Sequence, residues 1–294
     1  MNWSECSLCP RRCRAERTEA AGRGWCRLPS RLLIARLAPH LWEEPPISGK
    51  GGTGAVFFAG CTLRCPFCQN ADISHTAAGR PFTPRELSDG LKRLADSGVE
   101  SISFITGTPY VPLILDTLSL WRPPLPIVWN TSGYETVETL RLLEGAVDVY
   151  LPDLKHLSPR MSALCAGAAD YFDFAAPALL EMARQQPVNE NLPSGVLKRG
   201  LIIRHLILPG LTSESVALLD WLKEHLPDRP VSLMRQYTPL HVEAIPGLNR
   251  RLTPREYRRV REHMLSLGLT GYEQEAGSAD EAFIPLFNDD ASFV

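Results

Sequence analysis

The 294 residues are 44% apolar and 22% charged, with a formal net charge of −2. This balance is that of an ordinary globular protein and argues against a disordered chain, a membrane protein or a general nucleic-acid binder, which needs a basic surface. No apolar stretch approaches the roughly 18 residues of a bilayer-crossing helix, and Met1-Asn2-Trp3-Ser4-Glu5-Cys6 lacks the basic and apolar regions of a secretory leader, so a cytoplasmic protein is expected. Eight cysteines in a reducing compartment then point to metal rather than disulfides.

Residues 1–50 read as a Cys-rich N-terminal extension and lead-in. Cys6-x2-Cys9-x3-Cys13-x12-Cys26 gives four thiolates among Arg11, Arg12, Arg14, Arg17, Arg23 and Arg27, a complete ligand set with no open position. Tetrahedral zinc favours two closely spaced pairs, and Cys13/Cys26 does not supply the second one. An iron–sulfur cluster tolerates the spacing more easily, so an auxiliary [4Fe–4S] cluster and zinc both stand as readings. Lys50-Gly51-Gly52-Thr53-Gly54 has Ala55 where a phosphate-binding loop needs its lysine, and it precedes a strand instead of linking strand to helix. It reads as a flexible lead-in.

From residue 51 to 275 short β-rich runs alternate with helical stretches. The strand candidates are Ala55–Gly60, Ser101–Thr106, Pro126–Thr131, Asp148–Asp153, Leu201–Leu208 and Val231–Tyr237. Apolar 3–4 spacing predicts helices over 83–97, 111–121, 135–144, 169–185, 212–226 and 253–267. Thr83 and Thr253 begin capping boxes, each with Pro next and Glu three residues on. Six β/α units predict an α/β fold, a partial (β/α)6 TIM-like barrel, whose chemistry should sit at the strands' C-terminal ends. Residues 187–200 read as an irregular connection and a candidate active-site loop, and 276–294 as an acidic C-terminal tail. Cys165 stands alone and reads as a packing residue.

The sharpest signal follows the first strand: Cys61-x3-Cys65-x2-Cys68. A cubane cluster takes four thiolates; three leave one iron open, as the open coordination position of a catalytic zinc does. The sequence Phe57-Phe58-Ala59-Gly60-Cys61-Thr62-Leu63-Arg64-Cys65-Pro66-Phe67-Cys68 resembles the cluster loop of the radical S-adenosylmethionine (radical SAM) superfamily. The N-terminal cysteines, Asn130-Thr131-Ser132-Gly133-Tyr134, Asp148–Lys155, Ile203–Gly210 and Ser232–Tyr237 resemble a group within it related to the pyruvate formate-lyase activating enzyme.

That resemblance implies a [4Fe–4S] cluster on Cys61, Cys65 and Cys68 whose open iron chelates SAM. It further implies reductive SAM cleavage to a 5′-deoxyadenosyl radical and hydrogen abstraction, with electrons from a donor such as flavodoxin or ferredoxin. Phe67 is implied beside the adenine. Thr106, Gly107 and Thr108 stand where the family carries Gly-Gly-Glu, so backbone carbonyls or threonine hydroxyls would hold the SAM amino group. Asn130 and Ser132 match positions contacting SAM, though Asn-Thr-Ser-Gly is also good turn chemistry. Asp153 and Lys155 match an Asp-x-Lys motif, and Gln236 a SAM-holding position. Arg204, alone in an apolar strand, needs a partner if buried; a SAM carboxylate or Asp153 would serve. His205, next along the strand, should face the helices. The implied partner is a glycyl-radical protein; another protein, a peptide or a small molecule is the alternative substrate, and an iron–sulfur electron carrier the non-enzymatic one.

Overall fold

Parallel pairing, the most demanding feature of the expected fold, runs through the centre of the molecule. The computed structural model describes residues 3–242, 245–274, 285 and 287–294. Its strands are β1 (Leu32–His40), β2 (Thr53–Phe58), β3 (Arg80–Phe82), β4 (Ser101–Ile105), β5 (Ile127–Thr131), β6 (Val149–Pro152), β7 (Glu190–Asn191), β8 (Leu197–Leu201), β9 (Ile203–Leu206), β10 (Val231–Met234) and β11 (Gly271–Glu273). One sheet has the order β3-β1-β2-β4-β5-β6-β8-β7 and a second the order β11-β10-β9. A bridge between Asp153 and Arg204 joins them, so the parallel series runs from β2 through β4, β5, β6 and β9 to β10 and β11. This is an α/β partial barrel of the expected kind.

The six strand candidates are all present. Each central strand is buried on both faces, which explains why they read as continuous apolar runs and not as alternating ones. The expected strand over Leu201–Leu208 is shifted and interrupted at Ile202, whose N–H donates to Tyr150 O at 3.1 Å. All six helices appear within a few residues of their predicted bounds, from Pro84–Asp96 to Pro254–Ser266. Both capping boxes form: Thr83 N–H donates to Glu86 at 2.7 Å and Thr253 N–H to Glu256 at 2.9 Å. The short helix Pro159–Ala166, capped by Ser158, was not foreseen. Among the described residues no single helix is long and apolar enough to cross a membrane.

Three readings of connecting segments need correction. Residues 187–200 are no irregular mouth loop: β7 and β8 pair antiparallel as a hairpin that leads into β9 at its N-terminal end, away from the cysteine loop. The glycine-rich lead-in is held, because Glu100 accepts from Lys50 N at 2.5 Å and Gly51 N at 2.9 Å. Of the expected acidic tail, 275–284 and 286 lie outside the described residues. The final stretch instead packs on β1, with Asn288 N donating to Ala35 O and Val294 N to Leu37 O, each at 3.0 Å. The assignment of 32–40 to an extension also changes: β1 pairs antiparallel with β2 from Ile34 to His40 and is part of the main sheet.

Candidate active site

The C-terminal ends of the parallel strands surround a cavity of about 280 Å3. Cys61, Cys65 and Cys68 line it, together with Phe67, Thr106, Asn130, Ser132, Asp153, Lys155, Arg204 and Gln236. The loop turns out of β2 at Gly60, whose φ of +77° is a conformation that only glycine adopts readily, and Gly60 N–H ties back to Ile73 O at 2.7 Å. The Cys61 sulfur accepts from Leu63 N–H at 3.4 Å, and Cys68 lies 3.2 Å from the Ser74 hydroxyl. Burial pushes the Cys61 thiol up to about 11 and Cys65 further still. Thiolates in this position therefore need a cationic partner such as metal, the ordinary condition for cysteine ligation.

Beside the thiols lies a buried charge network. The Arg204 guanidinium donates to Asp153 at 2.9 Å, to Glu43 at 3.3 Å and to Asn130 Oδ1 at 2.5 Å. Asn130 Nδ2 in turn donates to Glu43 at 2.8 Å, and Lys155 donates to the second Asp153 oxygen at 2.5 Å. Burial alone would raise the Asp153 carboxyl, but Arg204 and Lys155 outweigh it and hold it below the ordinary range. Lys155 would be lowered by burial, yet Asp153 and Cys65 hold it above its ordinary value. Burial pushes Glu43 and Glu44 up, against the pull of Arg204. Asp153 is thus held ionised between its two cations, and Lys155 and Arg204 both line the cavity beside it.

Phe67 is almost fully buried and meets Tyr237 edge to face, with ring centroids 5.4 Å apart. Gln236 is positioned from two sides: Gln69 donates to its backbone carbonyl at 3.2 Å and Gln274 to its side-chain oxygen at 2.9 Å. Thr106 has φ +61°, a strained conformation for a β-branched residue and one that clusters at functional sites. Gly107 and Thr108 are not among the cavity's lining residues. A Cβ at Gly107 would lie 2.6 Å from the Trp129 ring, and Thr108 turns away to donate to buried Glu135 at 2.6 Å. His205 faces the helical layer, bonded to Leu154 O at 2.7 Å and Ser215 at 2.8 Å, and Cys165 is fully buried. Both match expectation.

Sequence reasoning missed Glu43, which follows β1 and completes the Arg204 pairing. The missing signal was Arg204 itself: a guanidinium in an apolar strand demands more than one acceptor. It also missed His40 and Trp42, which line the cavity from the same segment.

The N-terminal thiols form a second set. Burial is the largest influence raising Cys9 to about 12, and Cys26, Cys6 and Cys13 are all close enough to add to it. Among the described residues no three His, Cys, Asp or Glu side chains converge on one point as a single ion requires.

Residues 55–222 match the family model of the Radical SAM superfamily. An uncharacterized protein of Methanocaldococcus jannaschii is 31% identical over 271 residues, 88% of this chain and 74% of that protein. The pyruvate formate-lyase-activating enzyme of Clostridium pasteurianum is 30% identical over 117 residues, 38% of this chain and 49% of that enzyme. The crystal structure of Streptococcus suis SuiB bound to precursor peptide SuiA is similar in fold, with a TM-score of 0.51 at 14% identity over 75% of this chain and 48% of SuiB.

Proposed function

The chain belongs to the radical SAM superfamily, and from that membership we propose that it abstracts hydrogen from a glycine of a partner polypeptide, as an activator of a glycyl-radical protein. Family membership implies a [4Fe–4S] cluster and SAM. When bound on Cys61, Cys65 and Cys68, the cluster supplies the electron that cleaves SAM reductively. The observation that supports SAM chemistry at this site is the convergence of those three thiols with Phe67, Lys155 and Gln236 on one cavity; the glycyl-radical partner rests on the partial likeness to a pyruvate formate-lyase-activating enzyme.

The remaining roles belong to the chain's own side chains. Lys155, fixed by Asp153, offers its other ammonium protons to the SAM carboxylate. Phe67, braced by Tyr237, borders the adenine. Gln236 holds the methionine end, and the carbonyls around Thr106 and Ser132 take the place of the family's acid. Arg204, Glu43 and Asn130 position Asp153 and through it Lys155. Flavodoxin or ferredoxin supplies electrons.

A second reading is radical modification of another protein, a peptide or a small molecule. Leu41 and Trp42 are 56% and 61% exposed, with Trp42 at the cavity, and they make an apolar lip that favours a polypeptide over a small molecule. The likeness in fold to peptide-bound SuiB supports the same choice. The test is anaerobic reconstitution, reduction with dithionite and mass-spectrometric assay of 5′-deoxyadenosine, with Cys61, Cys65 and Cys68 changed together to Ala. Product from the intact chain alone is expected; equal product from the variant would overturn the assignment. Adding a glycyl-radical protein or a peptide then separates the two readings by the radical signal or mass change on the partner.

A further inference from the structure

Lys155 reaches the cavity from the end of β6, where the main-chain hydrogen bonding changes partner with each residue. Asp153 N–H donates to Thr131 O at 2.9 Å and Leu154 N–H to Arg204 O at 2.8 Å, both from strand to strand. The next amide, that of Lys155, donates instead to a side chain, the Tyr171 hydroxyl, at 3.1 Å. Tyr171 is the first residue of the helix Tyr171–Gln185. Its hydroxyl also donates to the carbonyls of Ser132 at 2.9 Å and Asp153 at 2.8 Å. A phenol has one proton and two lone pairs, so the proton is shared between the two carbonyls while a lone pair takes the Lys155 amide.

The hydroxyl is fixed from several directions. Tyr171 is fully buried, and burial raises its phenol well above the ordinary value and so keeps it protonated. Its ring stacks on Tyr134 with centroids 6.1 Å apart and meets His156 at 6.2 Å. Gly133 leaves room for the oxygen, since a Cβ there would stand 3.0 Å from it and 2.2 Å from Asp153 O. The turn at Ser132 has a second fastening, because buried Glu135 accepts from Thr131 Oγ1 and from Thr108 Oγ1, each at 2.6 Å. At Lys155 the division is different: Asp153 holds the ammonium group and the Tyr171 hydroxyl holds the main chain. Loss of that one oxygen therefore acts on Lys155 first.

We propose that Tyr171 is a positioning residue for SAM: its hydroxyl extends the strand bonding by one residue and so sets the backbone of Lys155, whose ammonium group takes the SAM carboxylate. This rests on the role given to Lys155 above. Tyr171 does not line the cavity and acts through Lys155. A buried N–H left without its acceptor is costly, so without the hydroxyl the Lys155 main chain moves to find water and the ammonium group loses its fixed place beside Asp153.

The full chain is reconstituted anaerobically with iron and sulfide, left unreduced, and its SAM Kd is measured by equilibrium dialysis. Tyr171→Phe removes one oxygen and keeps the ring stack; it should raise the SAM Kd about five- to tenfold, while 5′-deoxyadenosine formation at saturating SAM keeps its rate within about twofold. An unchanged Kd would overturn the proposal. Tyr134→Phe is the control, because it takes an equally buried hydroxyl, bonded to Asp170 at 2.8 Å, from the same stack. Its Kd should match wild type, and an equal rise in both variants would mean general loosening and overturn the proposal. In a Lys155→Met background Tyr171→Phe should change the Kd by less than about twofold; a full-size effect there would overturn action through Lys155. Hydrogen–deuterium exchange of the reconstituted chain before SAM is added, read residue by residue, should show the Lys155 amide protected in the wild type and exchanging about tenfold faster or more in Tyr171→Phe. A wild-type Lys155 amide that exchanges like a solvent-exposed one would overturn the proposal even if the variants do not fold. If the reconstituted wild type binds no SAM, it is the SAM reading that fails, and the exchange result still decides whether Tyr171 holds Lys155.

Discussion

Replacing Asp153 with Asn tests the charge network without touching a cysteine. Asp153 accepts from both Arg204 and Lys155, and the three side chains are only 13–20% exposed. Removing one partner of a buried ion pair costs about 3–5 kcal/mol. Here Arg204 retains Glu43 and Asn130, so the cost falls at or just below the bottom of that range, about 2–3 kcal/mol. An unfolding entropy of roughly 2.1 cal/mol/K per residue gives about 0.6 kcal/mol/K for this chain, and hence a Tm lower by about 3–5 °C. The sign with pH follows from the direction of the shift. A carboxyl held below its ordinary value stabilises the fold above about pH 4, and that contribution is lost as pH falls through the lower folded value. Differential scanning calorimetry of the metal-free proteins at a series of pH values should show the gap at neutrality and its narrowing below about pH 4. A Tm within about 1 °C of wild type at pH 7, or a gap that widens in acid, would refute the pairing as the source of stability.

Gly60→Ala should lower stability by about 1–2 kcal/mol, because alanine is strained at φ +77° and its methyl group meets the Leu28 side chain at 2.7 Å; urea unfolding measures it. Thr106→Gly should leave Tm unchanged or raise it, since glycine relieves the φ of +61°, and a clear drop in a thermal melt would show that the Thr106 side chain contributes more than its backbone costs. Thr253→Ala removes the cap that accepts from Glu256 N at 3.3 Å and should cost about 1 kcal/mol in urea unfolding.

Local order was legible wherever one segment carries its own instruction. The two capping boxes, the run Ala55–Gly60 and the cysteine spacing are each complete within a few residues, and the structure reproduces them with bounds differing by a few positions. What was not legible depends on partners far along the chain. The sequence at Glu43 says nothing of Arg204, 161 positions away, and β1 is a plain apolar run until β2 and β3 lie beside it. Thr106-Gly107-Thr108 reads as one loop, but Thr106 lines the cavity while Thr108 is buried against Glu135. Arg204 shows the intermediate case: its need for a partner was readable, and Asp153, one of the two partners named, accepts from it at 2.9 Å. The connection over 187–200 misled because Pro, Asn and Gly mark a tight hairpin as well as an open loop.

The way the chain's last described residues lie along β1 bears on association with other polypeptides. A barrel that does not close has outer strands whose free amides and carbonyls can recruit a strand from elsewhere. Here one such side is shared between β3, only three residues long with Pro81 at its centre and so short of one donor, and the stretch 288–294, which takes up Ala35 and Leu37 of β1. On the other side β11 is three residues long as well. Among the described residues neither flank offers a long template, which disfavours self-association by sheet extension.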